Sequence, residues 1–328
     1  MKILFITYPM AFHTPGGGEI QLLAYKEALE KKGIHVDFFD PWNPRFTDYD
    51  VVHYFSCVGG SIHICNFVKQ LNIPLVVTSS LWMTEETKEL YPLGEIVDQF
   101  NIADFIVANS DIECNQLSKI LNININKFKT VYNGIDDTFT NKIDESLFFE
   151  KFHIKNKYIL SVANIEERKN QLHLAEAMKS FPDYKLVLIG HIRNNDYYEN
   201  IRDLLGDQLI YIGSIDHSDP IFRSAYCGAS AFVLPSILET PGLAALEAAA
   251  MEIPVVVTEV GSTTEYFLND VSYSKPDDVS SIVSAIDNAL NNTKEESLRN
   301  LSQRIKKSFS WSSAAEKLIS IYNEVMIK

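Results

Sequence analysis

The stretch Ala231–Phe267 reads AFVLPSILETPGLAALEAAAMEIPVVVTEVGSTTEYF, and the rest of the chain is organised around it. Ala231–Leu234 is a short apolar run closed by Pro235, the pattern of a buried strand. Thr240 offers an N-cap hydroxyl and Pro241 suits a first helical position, so a helix is expected to begin there. Leu243, Leu246 and Ala250 recur at i, i+3 and i+7, one apolar stripe for a core. Pro254 stops that helix, and Val255–Val257 supplies a second buried strand. Units of this kind build parallel sheets, which take ligands beyond the carboxyl ends of their strands. Glu239 in the loop and Glu247 in the helix both stand at that end. Two carboxylate acceptors beside a helix N-terminus suit a ligand that carries phosphates and sugar hydroxyls.

The 328 residues exceed one ordinary domain and suit two. With 46% hydrophobic and 22% charged residues the composition is that of a globular protein, not a disordered one. A net charge of −14 argues against nucleic acid, whose phosphates need clustered Lys and Arg. Residues 1–155 hold 13 Lys+Arg against 20 Asp+Glu, which leaves 29 − 13 = 16 against 43 − 20 = 23 in the remainder, or −7 in each part. Neither half is a basic face for an anionic membrane, so at most peripheral membrane contact is expected. The opening MKILFITYPMAF is too short to span a bilayer and lacks a cleavage pattern; it reads as a first strand. Cys57, Cys65, Cys114 and Cys227 form no C-x-x-C pair and fit free thiols in a reducing cytoplasm.

The first half is a run of strand–helix units. Lys2–Thr7 is a strand, followed by a loop with Gly16, Gly17 and Gly18 and a helix through Gln21–Lys32. Glycines at such a turn let backbone approach a ligand, with a helix N-terminus behind it. They lack the spacing of a dinucleotide fingerprint, so a nicotinamide cofactor is not expected. Val36–Phe39, Val51–Phe55, Pro74–Thr78 and Phe105–Ala108 continue the strands, and Asn133-Gly134 is a turn dipeptide. Between Asp136 and Tyr158 the periodicity weakens, as expected of an interdomain linker. The alternation restarts with Tyr158–Ala163, a helix through Gln171–Lys179, Lys185–Ile189 and Leu209–Ile212. Arg168 and Lys169 stand at the first of these turns, where two cations can neutralise a diphosphate. Ser312–Met326 closes the chain as an amphipathic helix, and the eight histidines show no metal-ligand spacing.

The pattern PS-x-x-E-x-x-GL-x-x-LE, followed by PVVVT and by Gly261 and Glu265, resembles the signature of the retaining glycosyltransferases of family four, with Glu239 and Glu247 as its Glu-x7-Glu pair. Arg168-Lys169-Asn170 resembles the RKN variant of that family's phosphate motif, and VYNGID at 131–136 its strand-end turn. The resemblance implies the GT-B fold, two doubly wound Rossmann-like α/β domains facing across a cleft. Residues 1–155 would form an acceptor-side domain, 156–308 a donor domain, and 309–328 a helix crossing back after Trp311. The glycine turn with Gly17 and Gly18 would lie at the cleft, and backbone at Gly213 and Ile215 would cradle the nucleobase.

The implied activity moves a sugar from a nucleotide diphosphate sugar to a hydroxyl of a saccharide, lipid-linked or protein acceptor, with retention and without metal or other cofactor. Arg168 and Lys169, with amides near Gly242 and Leu243, would hold the departing diphosphate; Glu247 would accept from the ribose and Glu239 from the donor sugar. Two departures from the family pattern stand out: Asn164 replaces an arginine, and Ser80 replaces an acceptor-side histidine for which His13 or His53 could substitute. A nucleotide-sugar epimerase or hydrolase, and an inactive nucleotide-sugar-binding subunit of a larger transferase, stay open beside transfer into surface polysaccharide or glycolipid.

Overall fold

The computed structural model describes residues 1–13 and 15–327. These form two compact units, Met1–Gly134 together with the helix Trp311–Ile327, and Ile135–Ser310.

The first unit holds six strands: β1 (Lys2–Thr7), β2 (His35–Phe38), β3 (Val51–Phe55), β4 (Leu75–Thr78), β5 (Phe105–Ala108) and β6 (Phe128–Thr130). They pair in the order β2-β1-β3-β4-β5-β6, every pair parallel. Parallel pairing needs covered faces, and the strands read as near-continuous apolar runs for that reason. Side chains alternate across the sheet. Ile3, Phe5, Val51 and Phe55 pack on one side with the helices Gly17–Lys31 and Trp311–Ile327, while Leu4, Ile6, Val52 and Tyr54 pack on the other. The terminal helix is fixed by Ala315, Leu318 and Tyr322, all fully buried. His53 belongs to this interior: Nδ1 lies 2.7 Å from the Tyr322 hydroxyl and Nε2 2.7 Å from Thr78 Oγ1. It is a buried structural link and presents nothing to solvent.

The second unit repeats the plan with β7 (Tyr158–Val162), β8 (Lys185–Ile189), β9 (Leu209–Gly213), β10 (Ala231–Leu234), β11 (Val255–Thr258) and β12 (Ser272–Ser274). The order is β12-β11-β10-β7-β8-β9, again parallel throughout. Read from β9, this is the 3-2-1-4-5-6 order of a Rossmann sheet, whose strand order reverses between β7 and β10.

Some local expectations need correction. The weakly periodic stretch after Asp136 is packed structure, with a helix at Ser146–Phe152 and both Phe139 and Phe148 fully buried in the second unit. A Phe spaced without helical period can still anchor a short helix, and that is why the pattern looked like a linker. Gly17 and Gly18 lie in the first turn of their helix, which starts at Gly17, and not in a loop before it. The helix expected from Pro241 begins at Leu243, because Gly242 has φ +87° and cannot join the helical run.

Candidate active site

The carboxyl ends of β7, β10 and β11 meet at the reversal of strand order, and one loop ties them together. After β10, the carbonyl of Pro235 accepts from Asn170 Nδ2 at 2.9 Å, and the Ile237 amide donates to the Arg168 carbonyl at 2.9 Å. Further on, the Glu239 amide donates to Val260 at 3.2 Å, and the Glu239 carbonyl accepts from the Ser262 amide at 3.0 Å. This last approach depends on Gly261, at φ +109°: a Cβ there would stand 2.0 Å from the Glu239 carbonyl oxygen. Gly242 closes the other side, since its Cβ would fall 3.4 Å from Glu239 Oε2 and 3.1 Å from Leu234 Cδ2. Glu239 is thus fixed by backbone on both flanks, and it is buried.

Lys169 reaches this carboxylate. Its Nζ donates to Glu239 Oε1 at 2.5 Å, with the side chains 14% and 6% exposed. Removing two charges from water is costly unless they pair, and here they do. Arg168 is half-exposed, with Nη2 3.3 Å from Glu166 Oε1 and Nη1 3.5 Å from the Leu238 carbonyl oxygen. Arg193 contacts the other oxygen of Glu166 at 3.0 Å. With its amide turned to present oxygen, Asn164 accepts from Arg193 Nη2 at 3.0 Å and Nε at 3.1 Å. Asn170 takes a left-handed conformation, φ +60°, and its side chain ties Pro235 to Pro276. Helices start at Gln171 and at Leu243 beside these groups, and the first amides of a helix have no partner within it.

Glu247 lies one turn into the helix Leu243–Ala250, and both its oxygens are held. Tyr226 donates its hydroxyl to Oε2 at 2.7 Å. His217 Nε2 lies 2.7 Å from Oε1; a carboxylate only accepts, so that nitrogen carries the proton. Burial opposes charging of His217, but the Glu247 hydrogen bond and charge, together with Asp136 and Asp216, outweigh it and raise its pKa. Burial, then the Glu247 charge, push the Tyr226 hydroxyl far above its ordinary range.

The structure therefore brings Lys169 and Glu239 into contact, sets Arg168 beside Glu166, and stations Glu247 within the adjoining helix. Gly213 ends β9 at φ +84°, and the loop from it through Ile215 leads to His217. Gly17 and Gly18 belong to the first unit, where a Cβ on either would meet nothing within 4 Å. His217, Tyr226 and Arg193 were not among the residues singled out as candidates, because their contacts join segments far apart in the chain; Asn170 stood there only as the last member of the RKN pattern, with no role of its own. Among the described residues, no group of three or more His, Cys, Asp or Glu side chains is placed to hold a metal ion. None of the described helices is long and apolar enough to cross a membrane.

Two doubly wound parallel sheets, each reversing its strand order once, define an α/β protein that takes ligands at the carboxyl edges of its strands. The family model for glycosyl transferases group 1 matches residues 143–308, just over half of the chain, and the chain belongs to that family. An uncharacterized glycosyltransferase of Methanocaldococcus jannaschii is 25% identical over 303 residues, covering 85% of this chain and 76% of that protein. The O-antigen chain mannosyltransferase of Salmonella typhimurium is 28% identical over 178 residues, 52% of this chain and 47% of that one.

Among solved structures, sucrose-phosphate synthase from Thermosynechococcus elongatus matches with a TM-score of 0.81 at 19% identity, covering 100% of both chains. Anabaena HepE in complex with UDP matches at 0.80 and 17% identity, covering 99% of this chain and 100% of that one. The GT-B fold implied by the sequence resemblance is the fold of this protein.

Proposed function

We propose that this glycosyltransferase moves a sugar from a nucleotide diphosphate sugar to an acceptor hydroxyl with retention of configuration, and that protein cations do the work a metal does elsewhere. The observation that carries this reading is the buried Lys169–Glu239 pair at the reversal between β7 and β10, beside the N-terminus of the helix Leu243–Ala250. A cation and open amides suit the diphosphate, and the carboxylate suits hydroxyls of the transferred sugar. In the reaction the bond from the sugar's anomeric carbon to the phosphate oxygen breaks. A bond from that carbon to the acceptor oxygen forms on the same face, and the acceptor proton passes to the departing phosphate.

Arg168 and Lys169 offset the charge that grows on that phosphate, with amides at Gly242 and Leu243 assisting. Glu247 takes the ribose hydroxyls and Glu239 the donor sugar, while backbone from Gly213 to Ile215 borders the base. The exposed amides of Gly17 and Gly18 are offered as a substrate contact in the first unit. The names of the similar proteins favour a saccharide or glycolipid acceptor and the assembly of a surface polymer, and the four free cysteines fit a reaction carried out in the reducing cytoplasm. Thermal shift with UDP-glucose, GDP-mannose and ADP-glucose tests the donor class. A ligand at about a hundred times its Kd adds roughly 2.7 kcal/mol of stability. A shift that is lost in Lys169→Ala supports the reading; a shift that survives Lys169→Ala and Glu239→Ala together rejects the site.

A further inference from the structure

Glu247 is gripped by a small aromatic box. The His217 ring sits 5.1 Å from Phe139 and 5.1 Å from Phe222, centroid to centroid. Tyr226 packs at 5.7 Å from Phe139 and 5.4 Å from Phe222. These rings come from different parts of the second unit: Phe139 from the short turn Asp137–Thr140, Phe222 and Tyr226 from the helix Pro220–Cys227. The box presents two polar tips, and both reach the same carboxylate, one on each oxygen at 2.7 Å. A glutamate on a helix has freely turning side-chain bonds; one grasped at both oxygens has a fixed direction. Each oxygen keeps a further lone pair for another donor.

We propose that His217 is a positioning residue for nucleotide-sugar recognition, fixing the Glu247 carboxylate and offsetting its charge so that its remaining lone pairs receive a vicinal diol. This rests on the reading of Glu247 as the ribose acceptor. The offset matters because a bare carboxylate close to a diphosphate repels it, in a partly buried site where water screens little. The charged groups facing His217 are Glu247 from the helix Leu243–Ala250, Asp136 from the segment before Phe139, and Asp216 from its own loop. Tyr226 is the neutral titratable group on the same carboxylate. All of these charges favour the imidazolium, so its pKa is raised against the opposing effect of burial. The imidazolium is complete below the ordinary histidine range and is lost as pH rises through the raised value. Donor binding should weaken over that same upward interval, because the orienting bond loses its charge assistance and Glu247 loses its counter-charge together.

The test uses the full chain and whichever of UDP-glucose, GDP-mannose and ADP-glucose binds. An intact nucleotide sugar is the right probe, since its diphosphate is a diester and does not titrate near neutrality. His217→Phe keeps an aromatic ring in the box and removes the N–H; His217→Gln keeps an N–H within reach of Glu247. His217→Phe should raise Kd and KM about tenfold, a charged hydrogen bond's share, with kcat changed far less. His217→Gln should recover most of that loss at neutral pH yet show a flat affinity-against-pH curve where the parent protein weakens. The proposal is overturned if both variants match the parent in affinity and pH profile while Glu247→Gln loses tenfold. It is equally overturned if His217→Gln, folded by its melting temperature, is as defective as His217→Phe. Should Glu247→Gln itself bind the donor normally, the failure lies in the ribose assignment, and His217 falls with it.

Discussion

Glu252 occupies a position where the chain needs a left-handed residue. Its φ is +61°, and the hydrogen bonds around it complete a Schellman ending: Glu252 N–H donates to the Ala249 carbonyl at 3.2 Å and Ile253 N–H to Ala248 at 3.1 Å. An L-residue with a Cβ pays about 1 kcal/mol or more to hold this conformation, and glycine does not. Against that gain stands an ion pair: Lys142 Nζ lies 2.8 Å from Glu252 Oε2, with the side chains 57% and 28% exposed. A pair that exposed contributes about 0–1 kcal/mol, and the same carboxylate also acts on the charge of Lys306. The net expectation for Glu252→Gly is therefore a gain of up to about 1 kcal/mol, or up to about 4 °C in melting temperature for a domain of this size.

Glu252→Gln separates the two contributions, because it deletes the charge and keeps the Cβ. It should melt slightly below the parent, and Glu252→Gly should exceed it by about 1 kcal/mol. Calorimetry at low and at high salt is the assay. Added salt screens the Lys142 pair, so the advantage of Gly over the parent should grow with ionic strength while its advantage over Gln stays constant. A glycine variant no more stable than the glutamine variant would refute the conformational argument.

The remaining expectations concern charge. Burial holds the His53 pKa down to about 3, below its ordinary value of 6.5, so the stability it carries is complete above pH 6.5 and falls as pH drops towards 3. The loss runs at about 1.4 kcal/mol per pH unit, roughly 2 kcal/mol by pH 5, and denaturant titrations should show His53→Gln without that share of the acid slope. An identical slope in both proteins rejects it. Glu247→Gln should raise KM and weaken binding of the bare nucleoside diphosphate, whereas Glu239→Gln should lower kcat and spare that binding. Each loss should be roughly ten- to a hundredfold, and calorimetry with the diphosphate showing the opposite pattern exchanges the roles. Transfer should persist in EDTA; abolition by EDTA with rescue by Mn²⁺ or Mg²⁺ would remove Arg168 and Lys169 as the phosphate-neutralising groups.

What the sequence made legible follows from the reach of its signals. Ala231–Leu234, Phe105–Ala108 and Lys185–Ile189 are apolar runs bounded by turn residues, and each is a strand with those ends. At Glu252 the family pattern that this chain resembles has a glycine, so a left-handed helix ending could be expected there from the resemblance, and the residue has φ +61°. The start of the helix at Leu243 was not legible, because Thr240-Pro241 satisfies the local rules for a cap and Gly242 overrides them by its conformation. Phe139 and Phe148 were lost for a related reason: their burial is imposed by distant partners, and nothing periodic marks them. His217 is the clearest case. It lies 30 residues from Glu247 in sequence, and the hydrogen bond between them is a product of the sheet order.

The interval between Glu239 and Glu247 shows where local and tertiary information join. Eight residues on a continuous helix would put two side chains near the same face. Here only Glu247 is helical; Glu239 sits in an extended loop paired with Gly261. The spacing is set instead by the path from the end of β10 to Leu243, and that path has little freedom. Pro235 is tied to Asn170, Glu239 is clamped between Val260 and Ser262, and Gly242 must turn at positive φ before the helix can start. An inserted residue would move Glu239 off Lys169 or move the helix start off Gly242, while Glu247 would stay with Tyr226. The motif thus records a loop length measured between two anchored ends. That is why the bare pair of glutamates says little, and why Pro235, Gly242 and Gly261 around it identify the site.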